Sequence, residues 1–441
     1  MQITFLGAAQ EVGRSCILID GKSKTLLDCG TKLGRNEEFP LLDNKTVKKI
    51  DRIAISHAHL DHSGYLPSVF AGGNYKGKVV LTKPTRDLIQ LLLADYLRIN
   101  SSSAKPYNEH DVAKFLKSTE ILEYGQLDSS RTIRLINAGH ILGSAMVEVS
   151  DEKKVLYTGD INTRSSRLLD GADLTNLDAE ILIMESTYGA KADEHLSAKD
   201  ATNMFIASIQ DTLSKNGKVL IPSFAIGRGQ EILFILESYM RSGKLDKVPI
   251  FIDGMVKKAL KIYRHNAIYL KDEVKKRILT SDDDPFKSPF YVLPKRKDRS
   301  DVFEMEKAIV VATSGMLNGG PILSYLKELA GDRKSKLILS GFQAEGTPGR
   351  ALLEGATSLK TNREIISGIE LQIDTAKLSA HSCHRELLSV VRAMPNLKKV
   401  FLVHGEHKKQ TELKAGIDEM CSRGKRNIEV IIPKLGETFE V

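Results

Sequence analysis

The stretch His57-Ala58-His59-Leu60-Asp61-His62 follows the apolar run Ile53-Ala54-Ile55 after a single serine. Four metal-ligand side chains within six residues are too many for scattered surface chemistry. On an extended backbone, residues two apart point the same way, so His57 and His59 can grip one ion. Asp61 and His62 then reach a second position beside it. Imidazole with carboxylate suits zinc better than calcium or magnesium, which favour all-oxygen shells. The competing reading is a polar loop whose histidines cap the preceding strand. The density of ligands favours the core of a two-metal hydrolase.

The rest of the chain is compatible with such an enzyme. Its 441 residues suffice for two or three domains. With 41% hydrophobic and 27% charged residues it has the composition of a globular protein. No apolar run approaches the roughly 18 residues a membrane span needs, and residues 1–7 read as a first strand rather than a signal peptide. Cys16, Cys29, Cys383 and Cys421 form no CxxC pair; they read as reduced thiols of a cytoplasmic protein. A net charge of +8 favours a polyanionic partner. The absence of Trp argues against a base-stacking platform, so any nucleic acid would be held by its phosphates rather than its bases.

Short apolar runs at residues 1–6, 16–20, 25–28, 52–55, 79–82, 132–135, 146–149, 155–158 and 181–185 predict strands. Their hairpin-length gaps predict antiparallel sheets. Residues 84–99 read as a helix, because Pro84 is tolerated in a first turn and Leu88, Leu91, Leu92 and Tyr96 share one face. After residue 189 the pattern changes. The runs 218–222, 249–252, 308–312 and 336–340 are each followed by a Gly-bearing loop and a helical stretch, which indicates a parallel α/β unit. The basic segment 271–299, with Ser281-Asp282-Asp283-Asp284-Pro285, reads as a surface excursion. The expected division is a first metal-binding part over 1–188, an inserted α/β domain over 189–364, and a return to the first domain over 365–441.

Three further sites can complete two ions: Gly139-His140, Gly159-Asp160 and His404 after Phe401-Leu402-Val403. Each is a ligand-type residue at a strand end. Taken singly, each is more often a satisfied loop residue than a ligand. With residues 57–62 they supply the right total, provided Asp160 bridges. Asp28 either holds a ligand imidazole in one tautomer or stabilises its own turn. His110, His195, His265 and His407 lie in polar surroundings and read as solvated or capping residues.

These residues resemble the metallo-β-lactamase superfamily. Further segments resemble its β-CASP branch of nucleases: residues 7–16 (Gly7 to Cys16), Glu185-Ser186-Thr187-Tyr188-Gly189, residues 221–230 (Ile221 to Gln230), Leu378-Ser379-Ala380-His381 and Val403-His404-Gly405-Glu406. The closest likeness is to the cleavage and polyadenylation endonuclease subunit and its short archaeal and bacterial homologues. The resemblance implies a four-layer αβ/βα sandwich with an inserted parallel α/β β-CASP domain. It implies one zinc on His57, His59, His140 and Asp160, and another on Asp61, His62, Asp160 and His404. Glu185 and His381 then match the first two signature positions of the branch. His404 matches the third, where a histidine is typical of RNA-directed members. One departure stands out. The family usually has an Asp two residues after the second signature His, whereas this chain reads His381-Ser382-Cys383-His384, so either His384 substitutes or proton transfer weakens.

The implied activity is a zinc-dependent ribonuclease, endonucleolytic on single-stranded RNA, with 5′-phosphate and 3′-hydroxyl products. His381 would act as general acid, with Glu185 orienting it. The rivals are a 5′-to-3′ exoribonuclease and a non-catalytic RNA-binding subunit. Three strand-loop-helix turns, carrying Arg228, Ser314 with Gly315, and Thr347, are candidate RNA phosphate sites. Small residues are needed at such turns in any α/β fold, which is the plainer explanation. Two zinc ions, an RNA substrate, and a homodimer or a processing complex complete the expectation.

Overall fold

In the computed structural model the described residues are 1–34, 37–99, 105–281, 283–341, 343–361 and 364–441. They form two compact units. The first comprises residues 1–165, 170–194 and 381–441; the second comprises 166–169 and 195–380.

Three- to six-residue strands, most of them rich in Ile, Val and Leu, build two mixed sheets in the first unit. One sheet contains β1 (Gln2–Phe5), β2 (Ile17–Asp20), β3 (Lys24–Leu27), β4 (Arg52–Ala54), β5 (Lys78–Leu81) and β6 (Thr119–Ile121) in sequence order. Its other edge is β21 (Thr438–Glu440), paired antiparallel with β1. The second sheet runs β7 (Ile133–Asn137), β8 (Ala145–Ser150), β9 (Lys154–Tyr157), β10 (Ile181–Glu185), β19 (Lys399–Val403) and β20 (Glu429–Ile431).

Each sheet is antiparallel only in part. The hairpin-linked strands β1–β3 and β7–β9 are antiparallel, but β3 to β6 and β9, β10, β19 and β20 run parallel. The expectation of antiparallel sheets is therefore corrected to mixed ones. The longer connections allow crossovers, and parallel pairing needs them. The consequence is functional, because several strand carboxyl ends collect at one edge.

Burial explains the layering. Inward side chains of both sheets, among them Phe5, Ile19, Leu27, Val147, Tyr157, Ile183 and Phe401, form one core. On the far side of the second sheet, Leu182, Met184 and Leu402 pack with Leu387, Val391, Leu413 and Ile417 of the helices His384–Arg392 and His407–Gly424. The helix Lys83–Ile99 buries Leu88, Ile89, Leu92, Leu93 and Tyr96, with Pro84 in its first turn. The result is the expected αβ/βα sandwich.

The second unit is a parallel sheet. Its order is β13 (Tyr291–Val292), β12 (Ile250–Asp253), β14 (Ile309–Ala312), β11 (Val219–Pro222), β15 (Lys336–Leu339) and β18 (Gln372–Thr375), beside a hairpin of β16 (Leu359–Lys360) and β17 (Ile365–Ile366). All its ladder pairings are parallel. Two expectations need adjusting. Residues 365–380 stay with this unit, because β18 pairs with β15 from Lys336↔Gln372 to Leu339↔Thr375. The segment 271–299 is not a plain surface excursion: it buries Val274 and Phe286 and adds β13 to the sheet. Asp282 lies outside the described residues.

Phe401, fully buried, sits 5.0 Å from the Phe5 ring and 5.2 Å from that of Phe439. It joins the two sheets of the first unit. Phe401→Ala should cost about 3–5 kcal/mol, read as a lower denaturation midpoint. An unchanged midpoint would mean that this core is not what holds the sheets together.

Candidate metal centre

Each candidate ligand stands just beyond a strand. β4 runs out at Ala54, and His57 and His59 follow in a loop that bends at residues 58–59 and leads into the next helix. Asp61 and His62 lie on the single-turn helix Leu60–Ser63. His140 follows β7 through Gly139, whose φ is +70° and where a Cβ would come within 2.4 Å of the Asn162 carbonyl. Asp160 follows β9 through Gly159, and a Cβ there would meet the Ser56 side chain at 2.5 Å. His404 follows β19 and Glu185 ends β10. Side chains of distant sequence positions therefore converge at the strand ends.

Two ligand sets share one carboxylate. In the first, His59 Nδ1 lies 3.1 Å from His57 Nε2 and 3.2 Å from His140 Nε2. Asp160 Oδ2 is 3.5 Å from His57 Nε2 and 3.6 Å from His140 Nε2. In the second, Asp160 Oδ1 is 3.3 Å from His62 Nε2 and 3.2 Å from His404 Nδ1, and His404 Nε2 is 3.4 Å from Asp61 Oδ2. The groups His57, His59, His140, Asp160 and Asp61, His62, His404 each present ligand atoms within 4.8 Å of one another.

Buried polar atoms normally have partners. Here His62 Nε2, Asp160 Oδ1 and His404 Nε2 are buried without a hydrogen bond. All three belong to the ligand set, so the donor chemistry fits a divalent cation.

The tautomers suit that purpose. Asp28, fully buried at the end of β3, accepts from the Ser56 N–H (2.7 Å), Ser56 Oγ (2.7 Å), His62 Nδ1 (2.7 Å) and the Tyr157 hydroxyl (2.8 Å). A carboxylate only accepts, so His62 carries its proton on Nδ1 and directs Nε2 toward Asp160. Ser56 Oγ spends its proton on Asp28 and accepts from His57 Nδ1 at 3.1 Å, leaving His57 Nε2 as a lone pair. Burial, followed by the charge of neighbouring His62, holds His57 well below the ordinary imidazole pKa. Burial also lowers His59. Both are thus neutral and able to ligate. Burial opposes protonation of His62 too, but Asp160 and Asp28 outweigh it and push its pKa well up. A cation on Nε2 would take that proton's place.

Glu185 and His381 form a pair beside the first set. His381 Nδ1 is 2.9 and 3.1 Å from the two Glu185 oxygens, and its ring centroid is 4.6 Å from that of His140. Glu185 is fully buried and is fixed by the backbone N–H groups of Ile161 (2.8 Å) and Thr187 (3.3 Å). Burial works against the imidazolium, but the charge and hydrogen bond of Glu185 prevail and raise His381 to about 9. His384 turns elsewhere: its Nδ1 meets the Gly189 carbonyl at 2.7 Å. Cys383 is buried and caps the following helix, its N–H donating to Glu386 at 2.9 Å. All four cysteines are free and buried.

Arg228, Ser314, Gly315 and Thr347 lie at the carboxyl edge of the second unit's sheet, after β11, β14 and β15. Their loops touch, since Gln343 Nε2 donates to the Gly315 carbonyl at 3.1 Å. The hydroxyls serve local bonds, Ser314 to the Gly319 carbonyl (3.1 Å) and Thr347 to that of Ala344 (2.6 Å). Two contributors to the metal centre escaped sequence reasoning, Ser56 and Tyr157, although a buried tyrosine hydroxyl always needs a partner.

Three family models match in chain order. They are a Metallo-beta-lactamase superfamily domain over residues 16–187, a Beta-Casp domain over 229–352, and a Zn-dependent metallo-hydrolase RNA specificity domain over 368–433. The chain is similar to the transcription termination factor FttA of Methanothermobacter thermautotrophicus, 38% identical over 94% of this chain and 69% of the relative. It is also similar to an RNase J-like protein of Methanocaldococcus jannaschii, 40% identical over 92% of each chain. The FttA of Pyrococcus abyssi is 36% identical over 98% of this chain and 71% of the relative. With the shared carboxylate, the histidine sets and the inserted parallel sheet, these likenesses establish that the chain belongs to the β-CASP branch of the metallo-β-lactamase superfamily.

Proposed function

We propose that the chain is a zinc-dependent ribonuclease that cuts single-stranded RNA internally and leaves 5′-phosphate and 3′-hydroxyl ends. The observation that carries this reading is the carboxylate of Asp160, with one oxygen facing each of two ligand sets. His57, His59, His140 and Asp160 would hold one ion, and Asp61, His62, Asp160 and His404 the other. Zinc bonded at 2.0–2.1 Å in a tetrahedron has ligands about 3.4 Å apart; four separations in the first set are 3.1, 3.2, 3.5 and 3.6 Å. Bound there, the ions would supply Lewis-acid polarisation of a phosphodiester and a water acidic enough to act near neutral pH.

The chain's own residues do the remaining work. Asp28 and Ser56 hold His62 and His57 in the ligating tautomer. Glu185 accepts from His381 Nδ1, which leaves Nε2 to deliver a proton to the departing 3′-oxygen as the P–O3′ bond breaks. Because water is the nucleophile, no cyclic phosphate forms. The names of the relatives point to RNA, and the RNase J-like protein, matched over 92% of both chains, supports a second reading as a 5′-to-3′ exoribonuclease.

RNA labelled at its 5′ end separates the possibilities. Internal fragments that disappear on chelation support the endonuclease, single labelled nucleotides support the exonuclease, and intact but bound RNA would overturn both in favour of a non-catalytic subunit. Asp160→Ala should abolish metal binding together with turnover. His381→Ala should keep its metal, measured by mass spectrometry, and lose about 10²–10⁴ in kcat. An equal loss of metal in both would remove His381 from the acid role.

An acid must be protonated, so activity falls as pH rises through the pKa of His381. Bound cations lower that value, and the comparison of variants is therefore the test. Glu185→Gln removes the charge that raises His381, so the alkaline limb of the pH–rate profile should move to lower pH. An unmoved limb would mean another group supplies the proton.

A further inference from the structure

The net charge of +8 is concentrated. Residues 256–299 carry thirteen Lys and Arg against six Asp and Glu, a net of +7. Much of that charge is neutralised on the spot: Arg277 pairs with Glu237 and Asp283, Arg264 with Asp284, and Arg299 with Asp253. Lys257, Lys258 and Lys261 differ. They are exposed on the helix Val256–His265, which contains no acidic residue, and among the described residues no carboxylate pairs with them.

Helical geometry gathers these three side chains. At 3.6 residues per turn they fall within an arc of about 100°. The opposite side is apolar and buried through Val256, Ala259, Leu260 and Tyr263. The helix starts where β12 ends, at the sheet edge that also carries the turn after β11. Its first turn packs on that turn, with Gln230 Nε2 donating to the Val256 carbonyl at 3.3 Å. A Cβ on Gly229 would lie 3.1 Å from Val256 Cγ1. Lys257 and Lys258 therefore stand at the same edge as Arg228. The face presents ammonium groups without an exposed apolar anchor, which suits contact with a repeating phosphate backbone rather than a protein surface.

We propose that Lys257, Lys258 and Lys261 form a phosphate-binding track for single-stranded RNA along this helix, continuous with the turn at Arg228. The ligand class rests on the ribonuclease reading; the surface itself rests on charge and geometry.

The test is equilibrium binding of a fluorescent 20-nucleotide RNA to the full chain with chelator present, so that nothing is cleaved. Wild type is compared with a K257Q/K258Q/K261Q variant over a salt series. A K45Q/K48Q/K49Q variant is the control; it removes the same charge from exposed lysines flanked by Asp43 and Asp51. Each lost phosphate contact on a single strand lowers the log–log salt slope by about 0.7. The track variant should lose about 2 in slope and bind about tenfold or more weakly at 0.1 M salt, with the control near wild type. Equal slopes in the track variant and wild type, or an equal fall in the control, would overturn the proposal. Competition by polyglutamate as effective as by RNA at matched charge would assign the face to acidic proteins and also overturn it. Failure of the protein to cleave RNA with metal restored, while the slope still changes, would sink the nuclease reading and leave the track standing.

Discussion

A buried carboxylate is costly to the fold unless its oxygens are engaged, and Asp28 is where this protein meets that cost. Four donors converge on it, from the chain after β4, from the turn bearing His62, and from the end of β9. Tyr157 belongs to one sheet and Asp28 follows a strand of the other, so a single carboxylate fastens both sheets and sets the tautomer of a candidate ligand, His62. Its own backbone sits in the left-handed region at φ +57°. Two residues on, Gly30 leaves no room for a side chain, because a Cβ would lie 1.7 Å from the Asp61 carbonyl. The turn after β3 and the ligand loop after β4 are therefore fitted to each other. The placement of the candidate ligands Asp61 and His62 depends on that fit.

The same economy appears at the insertion. The second unit leaves the first after Glu194 and returns at His381, and the two junctions lie together: the His384 N–H reaches the Asp193 carbonyl at 3.4 Å, and Ser382 N–H that of Ile161 at 2.8 Å. Glu185 lies before the insertion and His381 after it, so their hydrogen bond closes a chain segment of nearly two hundred residues. Loop-closure entropy grows only slowly with length, which makes so large an insertion tolerable there. The position of the His381 imidazole is thus set by the junction itself.

Much of this was legible because the ligands cluster in sequence. His57, His59, Asp61 and His62 declare themselves by spacing, and the strand ends before His140, Asp160 and His404 could be read from short apolar runs. Strand direction could not, since parallel and antiparallel neighbours share the same residue pattern. The end of the insertion was read early because Gln372–Thr375 is an edge strand, polar and half exposed, unlike the inner strands. The acidic and basic residues of 271–299 hid two buried anchors, Val274 and Phe286, and the short, half-buried strand at Tyr291–Val292. At Cys383 the departure from the family pattern could be seen, but not that His384 turns to the Gly189 carbonyl. That depends on tertiary placement alone.

Strand order also determines what the chain is like while it is being made. β1 pairs with β21, whose last residues are within a few positions of Val441, and β10 pairs with β19. When the ribosome has finished residue 194, both β1 and β10 lack these neighbours. The missing strands come only after the whole second unit, roughly 10–40 s later at ordinary synthesis rates. Through that interval two apolar sheet edges stand open, the condition under which strands recruit one another between chains. The insertion that separates Glu185 from His381 in sequence thus leaves these two edges unpaired until residues 381–441 have been made.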